Sequence, residues 1–293
     1  MIPPTSIDGT DITGATIDGT DVTEITVDGQ TVFTSIPPDA GLHYYLADFN
    51  NGGVIEHYTL PTPYDLANRS LQFTLTGMSG SPGICLSNDG TRAVVYDGPN
   101  SGLYSQYDLS TPFELSTVTN RTDITNLPDA NLGSIQFGDN GNKFYITDTG
   151  NFSFIRQYDL STPYDITTAS SSGSQNLGQG GQPGSPAFNS DGTKLIWGER
   201  IGQEIYSTPL STAFDITTIG SVTSFSANSG DPSAVALSID GTQLYTRHWS
   251  PSIVAEYEFG TPFDIGTLSY IQNSFSTQSD AASHQFSVNP WQV

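Results

Sequence analysis

The sequence predicts an all-β fold: a five-bladed β-propeller closed by the C-terminal strand, with a small N-terminal β-hairpin or meander segment. Three observations support this prediction. Two turn motifs recur in phase, short strand patterns lie between them, and no stretch shows the sustained apolar period of a helix. The repeat is close to the length of a blade of four strands. A solenoid built from the same unit is the alternative.

The first motif is an aromatic residue, a short turn with proline, and an aromatic–acidic pair. Its copies begin at residues 58, 107, 158, 208 and 257, so the step is 49 to 51 residues. The fourth copy is weaker, with Thr208 in place of the first aromatic residue and Ala213 in place of the proline. The third copy reads Tyr-Asp-Leu-Ser-Thr-Pro-Tyr-Asp-Ile. Proline presets φ for a turn, so each copy is expected to join two strands.

The second motif is an Asp-Gly or Asn-Gly turn that keeps the same step. Its glycines are Gly90, Gly141, Gly192 and Gly241. The turn separates two short runs of strand-forming residues, which predicts a β-hairpin. Because two independent turn signals stay in register, the repeat unit is one hairpin of the second motif followed by one turn of the first.

The C-terminus is predicted to close the ring. The second motif has one copy fewer than the first, so the first blade lacks its first strand. Residues 283–290 resemble residues 232–241, and we expect them to pair with residues 43–48. Such a strand covers two sheet edges that would otherwise be exposed. The propeller is therefore predicted over residues 41–293.

Residues 1–34 form a different unit, in which a β-branched residue, an Asp-Gly turn and another β-branched residue recur at a ten-residue step. The segment is too short to bury a core alone. We therefore expect an assembly anchor that packs on copies of itself, giving a homo-oligomer, or on another protein; a merely decorative sheet is the alternative. Residues 35–40 are predicted to be a stiff linker. The anchor residues are Ile7, Ile12, Ile17, Val22, Val27, Val32 and Phe33.

The charge argues against two classes of partner. Eight lysines and arginines face 30 aspartates and glutamates, a formal net charge of -22. Nucleic acids and anionic membranes are also negatively charged, so neither is an expected partner. The chain has no apolar run near the roughly 20 residues of a membrane span, so membrane insertion is not expected. Acidity with so little lysine is typical of extreme halophiles; an ordinary acidic secreted or viral protein is the alternative.

The sequence offers no recognised catalytic or cofactor motif. It lacks a nucleophile elbow, a zinc-protease helix motif and a phosphate-binding loop. Its histidines, His43, His57, His248 and His284, show no metal-site spacing. The expectation is therefore a protein that is not an enzyme, with no catalytic residues, no cofactor and no metal site. The single cysteine, Cys85, is expected to be a small buried apolar residue.

One position recurs on the face formed by the loops between second and third strands, here called the variable face. It is occupied by Asp48, Asp97, Asp148, Glu199 and His248. These groups could line the channel mouth and bind a cation, or each acid could accept backbone N–H bonds in its own turn. The turn interpretation explains Asp97 and Asp148 better than it explains Glu199 and His248.

The next residues suggest a ligand site on this face. Arg200 follows Glu199 and Trp249 follows His248, which predicts a pair of side chains from neighbouring blades. An aromatic plate beside hydrogen-bonding groups suits a sugar ring, whereas packing of Trp249 between blades is the alternative. The candidate ligand-binding residues are Asp97, Asp148, Glu199, Arg200, His248 and Trp249.

The repeats also resemble those of a known group of proteins. The propeller repeat resembles repeats in structural proteins of tailed viruses. Residues 17–33, Ile-Asp-Gly-Thr-Asp-Val-Thr-Glu-Ile-Thr-Val-Asp-Gly-Gln-Thr-Val-Phe, are similar to N-terminal segments of virion proteins of haloarchaeal tailed viruses. The resemblance implies a turret, spike or fibre module on the exterior of the capsid or tail. It supplies no catalytic residues.

The resemblance also implies partners. Residues 1–34 would bind other virion proteins, and the propeller would display a face for a host-surface glycoprotein or glycan. Two alternatives stay open: a purely architectural decoration protein of the virion, and a lectin-type or glycosidase-type propeller.

Overall fold

The computed structural model confirms the predicted fold class, an all-β, five-bladed β-propeller. Within the described residues no helix reaches seven residues. No helix in this part of the chain is long and apolar enough to cross a membrane. The structure describes residues 16–17, 20–21, 24–27, 30–34, 42–48, 53–78, 82–98, 102–127, 134–148, 154–177, 183–228, 230–276 and 281–286.

Four short strands precede the propeller and pair antiparallel as two hairpins, the first with the second and the third with the fourth. They are β1 (Thr16–Ile17), β2 (Thr20–Asp21), β3 (Glu24–Val27) and β4 (Gln30–Thr34). Four predicted anchor residues lie on these strands: Ile17, Val27, Val32 and Phe33. Ile7, Ile12, Val22 and the linker 35–40 lie outside the described residues. The anchor role stays a prediction.

Each blade is a four-stranded antiparallel sheet. Blade 1 contains β5 (His43–Asp48), β6 (Val54–Thr59) and β7 (Ser70–Leu75). Blade 2 contains β8 (Gly83–Leu86), β9 (Arg92–Tyr96), β10 (Tyr104–Leu109) and β11 (Val118–Ile124). Blade 3 contains β12 (Ile135–Gly138), β13 (Lys143–Asp148), β14 (Phe154–Leu160) and β15 (Ala169–Asn176).

The last two blades follow the same order. Blade 4 contains β16 (Ala187–Phe188), β17 (Lys194–Glu199), β18 (Glu204–Pro209) and β19 (Thr223–Ser226). Blade 5 contains β20 (Pro232–Leu237), β21 (Gln243–His248), β22 (Ile253–Phe259) and β23 (Leu268–Ser276). The remaining strand is β24 (Ala281–Phe286). Short 3-10 helices are Leu66–Asn68, Leu115–Thr117, Asp139–Gly141, Ile166–Thr168, Ile216–Thr218 and Ile265–Thr267.

The C-terminal strand closes the ring, as the sequence predicts. β24 pairs antiparallel with β5, with Phe286 opposite Tyr44. The Phe286 ring is buried, and its centroid lies 4.9 Å from that of Tyr64 in blade 1 and 4.9 Å from that of Tyr245 in blade 5. The closing strand therefore joins the first blade to the last, which excludes an open solenoid.

The two turn motifs lie on the same face and contact each other. In blade 4 the Phe214 N–H donates to the Gly192 carbonyl over 2.8 Å, and the Phe214 ring covers the glycine. A Cβ atom on Gly192 would lie 2.3 Å from that ring. In four of the five copies the aromatic residue packs on a turn glycine, and this contact explains why the two motifs keep one step along the chain. The same hydrogen bond joins Phe113 to Gly90, Tyr164 to Gly141 and Phe263 to Gly241.

The core lies largely between adjacent blades. Tyr145 of blade 3 packs against Phe188 of blade 4 at a centroid distance of 4.8 Å. Its hydroxyl donates to the Phe214 carbonyl over 2.6 Å, so the buried polar atom is satisfied. Cys85 is buried, as expected, and burial raises the pKa of its thiol. Neighbouring blades are thus held by apolar packing and by tyrosine hydroxyls that reach across.

Candidate functional site

The recurring position of the variable face stands at the end of the second strand of every blade. Asp48, Asp148, Glu199 and His248 end their strands, and Asp97 directly follows one. The described residues contain one group of three potential metal ligands close together, and it lies elsewhere. The ring of ligands at the channel mouth receives no support from this geometry.

Glu199 accepts backbone N–H bonds in its own turn, the role that the sequence analysis considered a poor explanation for this residue. The side chain is buried, and its carboxylate accepts the N–H of Ile201 over 2.9 Å and the N–H of Gly202 over 2.6 Å. Glu199 therefore shapes the loop and is not available to a ligand.

His248 is also a structural residue of its blade. The ring is fully buried, and its Nε2 lies 2.6 Å from the Thr246 Oγ1. Burial lowers the pKa of His248 to about 4, with the nearby Arg247 acting in the same direction. The imidazole is therefore neutral at pH 7. Neither Glu199 nor His248 presents charge to a ligand, so the predicted site reduces to the residues that follow them.

Arg200 and Trp249 meet across the boundary between blades 4 and 5. The Arg200 guanidinium carbon lies 4.0 Å from the centroid of the Trp249 ring, well within cation–π range. Both side chains are half-buried. The sequence places them one residue beyond their strands, and the antiparallel blades bring the two loops side by side. The predicted neighbouring-blade pair is therefore formed.

Three further residues surround this pair. Ile201, which follows Arg200 in the chain, is 67% exposed. The Gln203 side-chain amide donates to the Asp231 carboxylate over 2.9 Å. The backbone N–H of Trp249 donates to the backbone carbonyl of Asp231 over 3.0 Å. We call these five residues the Trp249 patch. The sequence analysis missed Ile201, Gln203 and Asp231, although the first two lie in the same loop as Arg200.

A second group of polar side chains lies between blades 1 and 2. His43, His57 and Glu114 each place one ligand atom within 4.8 Å of the other two. Burial lowers the pKa of His57 to about 4, and the neighbouring His43 lowers it further. The expectation that the histidines form no metal site rested on their spacing in sequence. That spacing does not show contacts between residues on adjacent blades.

Comparisons with known proteins show the fold. No family model and no curated protein matches the chain. A structure of a nidogen–laminin complex is similar with a TM-score of 0.53 and 16% identity, over 84% of this chain and 81% of that one. A Bacteroides fragilis protein provisionally named a 6-phosphogluconolactonase has a TM-score of 0.47 and 14% identity, over 85% and 74%. The Pseudomonas aeruginosa periplasmic gluconolactonase has a TM-score of 0.46 and 11% identity, over 82% and 68%.

These names correct one prediction. The sequence analysis expected a protein that is not an enzyme, because no catalytic motif was recognised. Two of the similar propellers are named as lactonases, so the lack of a recognised motif does not exclude an enzyme of this fold. At such low identity the likeness shows the fold alone, and neither structure assigns an activity to this chain.

Proposed function

We propose that the protein is a ligand-binding propeller on the exterior of a virion, and that the Trp249 patch binds a glycan or glycoprotein of the host surface. The observation that carries the binding role is the Arg200 guanidinium stacked 4.0 Å from the Trp249 ring on the variable face. Loops of this kind, positioned by a rigid scaffold, are where binding residues concentrate.

The chemistry of the patch fits a sugar. An indole offers an apolar plate for the C–H face of a pyranose ring. The guanidinium carries several N–H donors in a fixed plane, which suit hydroxyl or carboxylate oxygens. Asp231 adds carboxylate acceptors and Gln203 adds an amide, while the exposed Ile201 extends the apolar area. Together they provide the few oriented polar groups and the apolar surface typical of ligand sites.

The virion location rests on the sequence resemblance described above. The ten-residue repeat of the N-terminal segment and the propeller repeat both resemble virion proteins of haloarchaeal tailed viruses. The net charge of -22 is consistent with display in strong brine, where salt screens repulsion between carboxylates. A purely architectural virion protein would share these features, but it would need no half-buried aromatic–cation pair on the variable face.

The binding role is tested by applying the full-length protein to an array of immobilised glycans in molar salt. We expect binding to at least one glycan class, and Trp249→Ala should weaken it at least about tenfold because tryptophans that become buried on binding dominate binding energies. Arg200→Gln should weaken the same interaction without removing the indole.

The matched control is Arg121→Ala. Arg121 also lies over an aromatic ring, 5.9 Å from the centroid of Tyr107, but on the outer strand of blade 2. Its removal should leave glycan binding unchanged. Absence of binding to every glycan, or equal binding by the Trp249 variant, would leave the architectural role as the better explanation.

A further inference from the structure

Two of the five blade boundaries, between blades 2 and 3 and between blades 3 and 4, are joined by the same polar latch. Gln106 of blade 2 accepts the N–H of Ile166 over 2.9 Å, and its amide donates to Asp165 over 3.3 Å, both in blade 3. Gln157 of blade 3 accepts the N–H of Ile216 in blade 4 over 3.0 Å. In both cases a glutamine on the third strand holds the aromatic–acidic turn of the next blade.

The boundary between blades 1 and 2 departs from this pattern at three positions. His57 occupies the position, directly before the first aromatic residue of the turn motif, that Gln106 and Gln157 occupy in blades 2 and 3. Glu114 replaces the aspartate found in the other four copies of the turn. His43 begins its strand where β9, β13 and β17 begin with arginine or lysine. All three departures introduce metal-ligating side chains, and the fold brings them to one point.

The carboxylate of Glu114 differs in its hydrogen bonding from its equivalents. In the other four turns the aspartate side chain accepts a backbone N–H of the 3-10 helix that follows it. Glu114 makes no such cap. Its Oε2 instead lies 3.8 Å from the His57 Nδ1. A side chain that gives up the local cap is free to bind another group.

His57 is buried with one ring nitrogen unused. The ring has no exposed surface, and among the described residues its Nδ1 has no hydrogen-bond partner. The other nitrogen, Nε2, lies 2.9 Å from the His43 Nδ1. His43 stacks on the turn residue Phe113 at a centroid distance of 5.7 Å, so it is held at the same boundary. A buried polar atom without a partner is costly, which indicates that this one serves a ligand.

We propose that His43, His57 and Glu114 bind a divalent transition-metal ion such as Zn²⁺ and so join blade 1 to blade 2. Two imidazoles and one carboxylate form a common zinc donor set, with water in the fourth position. Nitrogen donors disfavour Mg²⁺ and Ca²⁺, which prefer oxygen ligands. The site lies at the turn face, away from the Trp249 patch, and does not depend on the proposed binding function.

The geometry requires a modest adjustment. Tetrahedral ligands at zinc–nitrogen distances of about 2.0 Å lie about 3.3 Å apart. The three ligand atoms now lie within 4.8 Å of one another, so they must draw together by at most about 1.5 Å. Glu114 is 32% exposed and His43 is half-buried, so both side chains can rotate without opening the core. His57 stays in place, stacked on Tyr45 at 5.0 Å.

The test is titration of the full-length protein, freed of metal by a chelator, with Zn²⁺ by calorimetry and with Co²⁺ by visible absorption. Molar salt and excess Mg²⁺ suppress adventitious binding to the acidic surface. We expect one equivalent of Zn²⁺, the intense visible bands of tetrahedral Co²⁺, and a rise in the thermal midpoint on binding. His57→Gln should weaken binding by more than about 100-fold.

The variants are matched to the repeat. His57→Gln installs the residue that blades 2 and 3 already carry, and Glu114→Asp restores the cap of the other turns, so both should fold. The control is Glu256→Gln. Glu256 occupies in blade 5 the strand position that His57 occupies in blade 1, and it contacts Gln272 and Ser274. The Glu256→Gln protein should bind zinc as tightly as the parent. Equal zinc binding by the parent and the two site variants, or displacement by Mg²⁺, would overturn the proposal.

Discussion

At the scale of single residues, the turn glycines serve two purposes at once. Gly192 has a φ of 69°, in the left-handed region that side chains disfavour, and it lies under the ring of Phe214. Phe214 itself has a positive φ of 58°. Strain in an aromatic residue is tolerated here because the ring packs on the glycine and its N–H is satisfied. The pair is one unit, and neither residue can be changed alone.

This pairing predicts a large loss of stability for Gly192→Ala. Left-handed backbone costs a non-glycine residue about 1 to 2 kcal/mol, and a Cβ 2.3 Å from the Phe214 ring adds overpacking. We expect a total of about 3 kcal/mol in urea unfolding. Gly77→Ala is the control, since Gly77 has a φ of 95° but no atom within 4 Å of the added Cβ. Equal losses for both variants would show that the ring contact contributes nothing.

At the scale of elements, strand β24 determines whether the ring closes. It pairs with β5, and His284 on it places Nδ1 2.8 Å from the Tyr44 hydroxyl oxygen. Burial lowers the pKa of His284 to about 3, and the nearby Arg247 lowers it further. The closing strand is therefore held in place by a histidine that is neutral in the folded protein.

Because His284 is buried in its neutral form, we expect the folded protein to lose stability in mild acid. In the unfolded chain its pKa returns to about 6.5, so protonation favours unfolding as pH falls from about 6.5 towards 3. Between these two pH values the free energy of unfolding falls by up to about 1.4 kcal/mol per pH unit, and above about pH 6.5 this histidine has no effect on it. His284→Gln should show a shallower fall of unfolding free energy between pH 6.5 and 4.5 than the parent.

The control for this prediction is Asp191→Asn. Hydrogen bonds from Thr193 lower the pKa of Asp191 below its usual 3.8, so its contribution is lost only at lower pH. The slope between pH 6.5 and 4.5 should therefore be unchanged in that variant. A parent slope that His284→Gln does not alter would mean that other groups cause the acid sensitivity.

At the scale of the whole molecule, the propeller contains the core that the structure describes. Every blade is completed by strands from residues 43–286, including the C-terminal strand. The hairpins β1–β2 and β3–β4 pair only within themselves in the described part of the chain. Two-stranded hairpins are marginally stable alone, so the sequence expectation of an assembly anchor remains our prediction.

Deleting residues 1–34 tests that prediction. The shortened protein should keep the circular dichroism and thermal midpoint of the parent, because no blade strand is removed. Light scattering should show that the parent is oligomeric and the shortened protein is monomeric. A shortened protein lacking residues 281–293 instead should be strongly destabilised, since the ring would be open. An unchanged oligomeric state after removal of residues 1–34 would refute the anchor.

Local patterns predicted much of this molecule. The in-phase glycine and proline turns predicted the five blades, and the missing first strand predicted the pairing of the C-terminus with residues 43–48. The adjacency of Arg200 and Trp249 followed from strand register alone. Where the reasoning failed, it judged a residue by type: Glu199 was considered a poor turn acceptor, yet its carboxylate accepts two backbone N–H groups of its own loop, at the same offsets as the aspartates Asp165 and Asp65.

The sequence by itself determined the blade number, the strand order and the closure of the ring, because turns and strand patterns are local properties of the chain. Only the tertiary structure decided which polar side chains meet at the boundary between blades 1 and 2. His43 and His57 lie 14 residues apart on paired strands of blade 1, whereas Glu114 belongs to blade 2, and nothing in the sequence pattern indicated that it reaches them. Contacts of this kind depend on how neighbouring sheets pack, which no periodicity in the chain encodes.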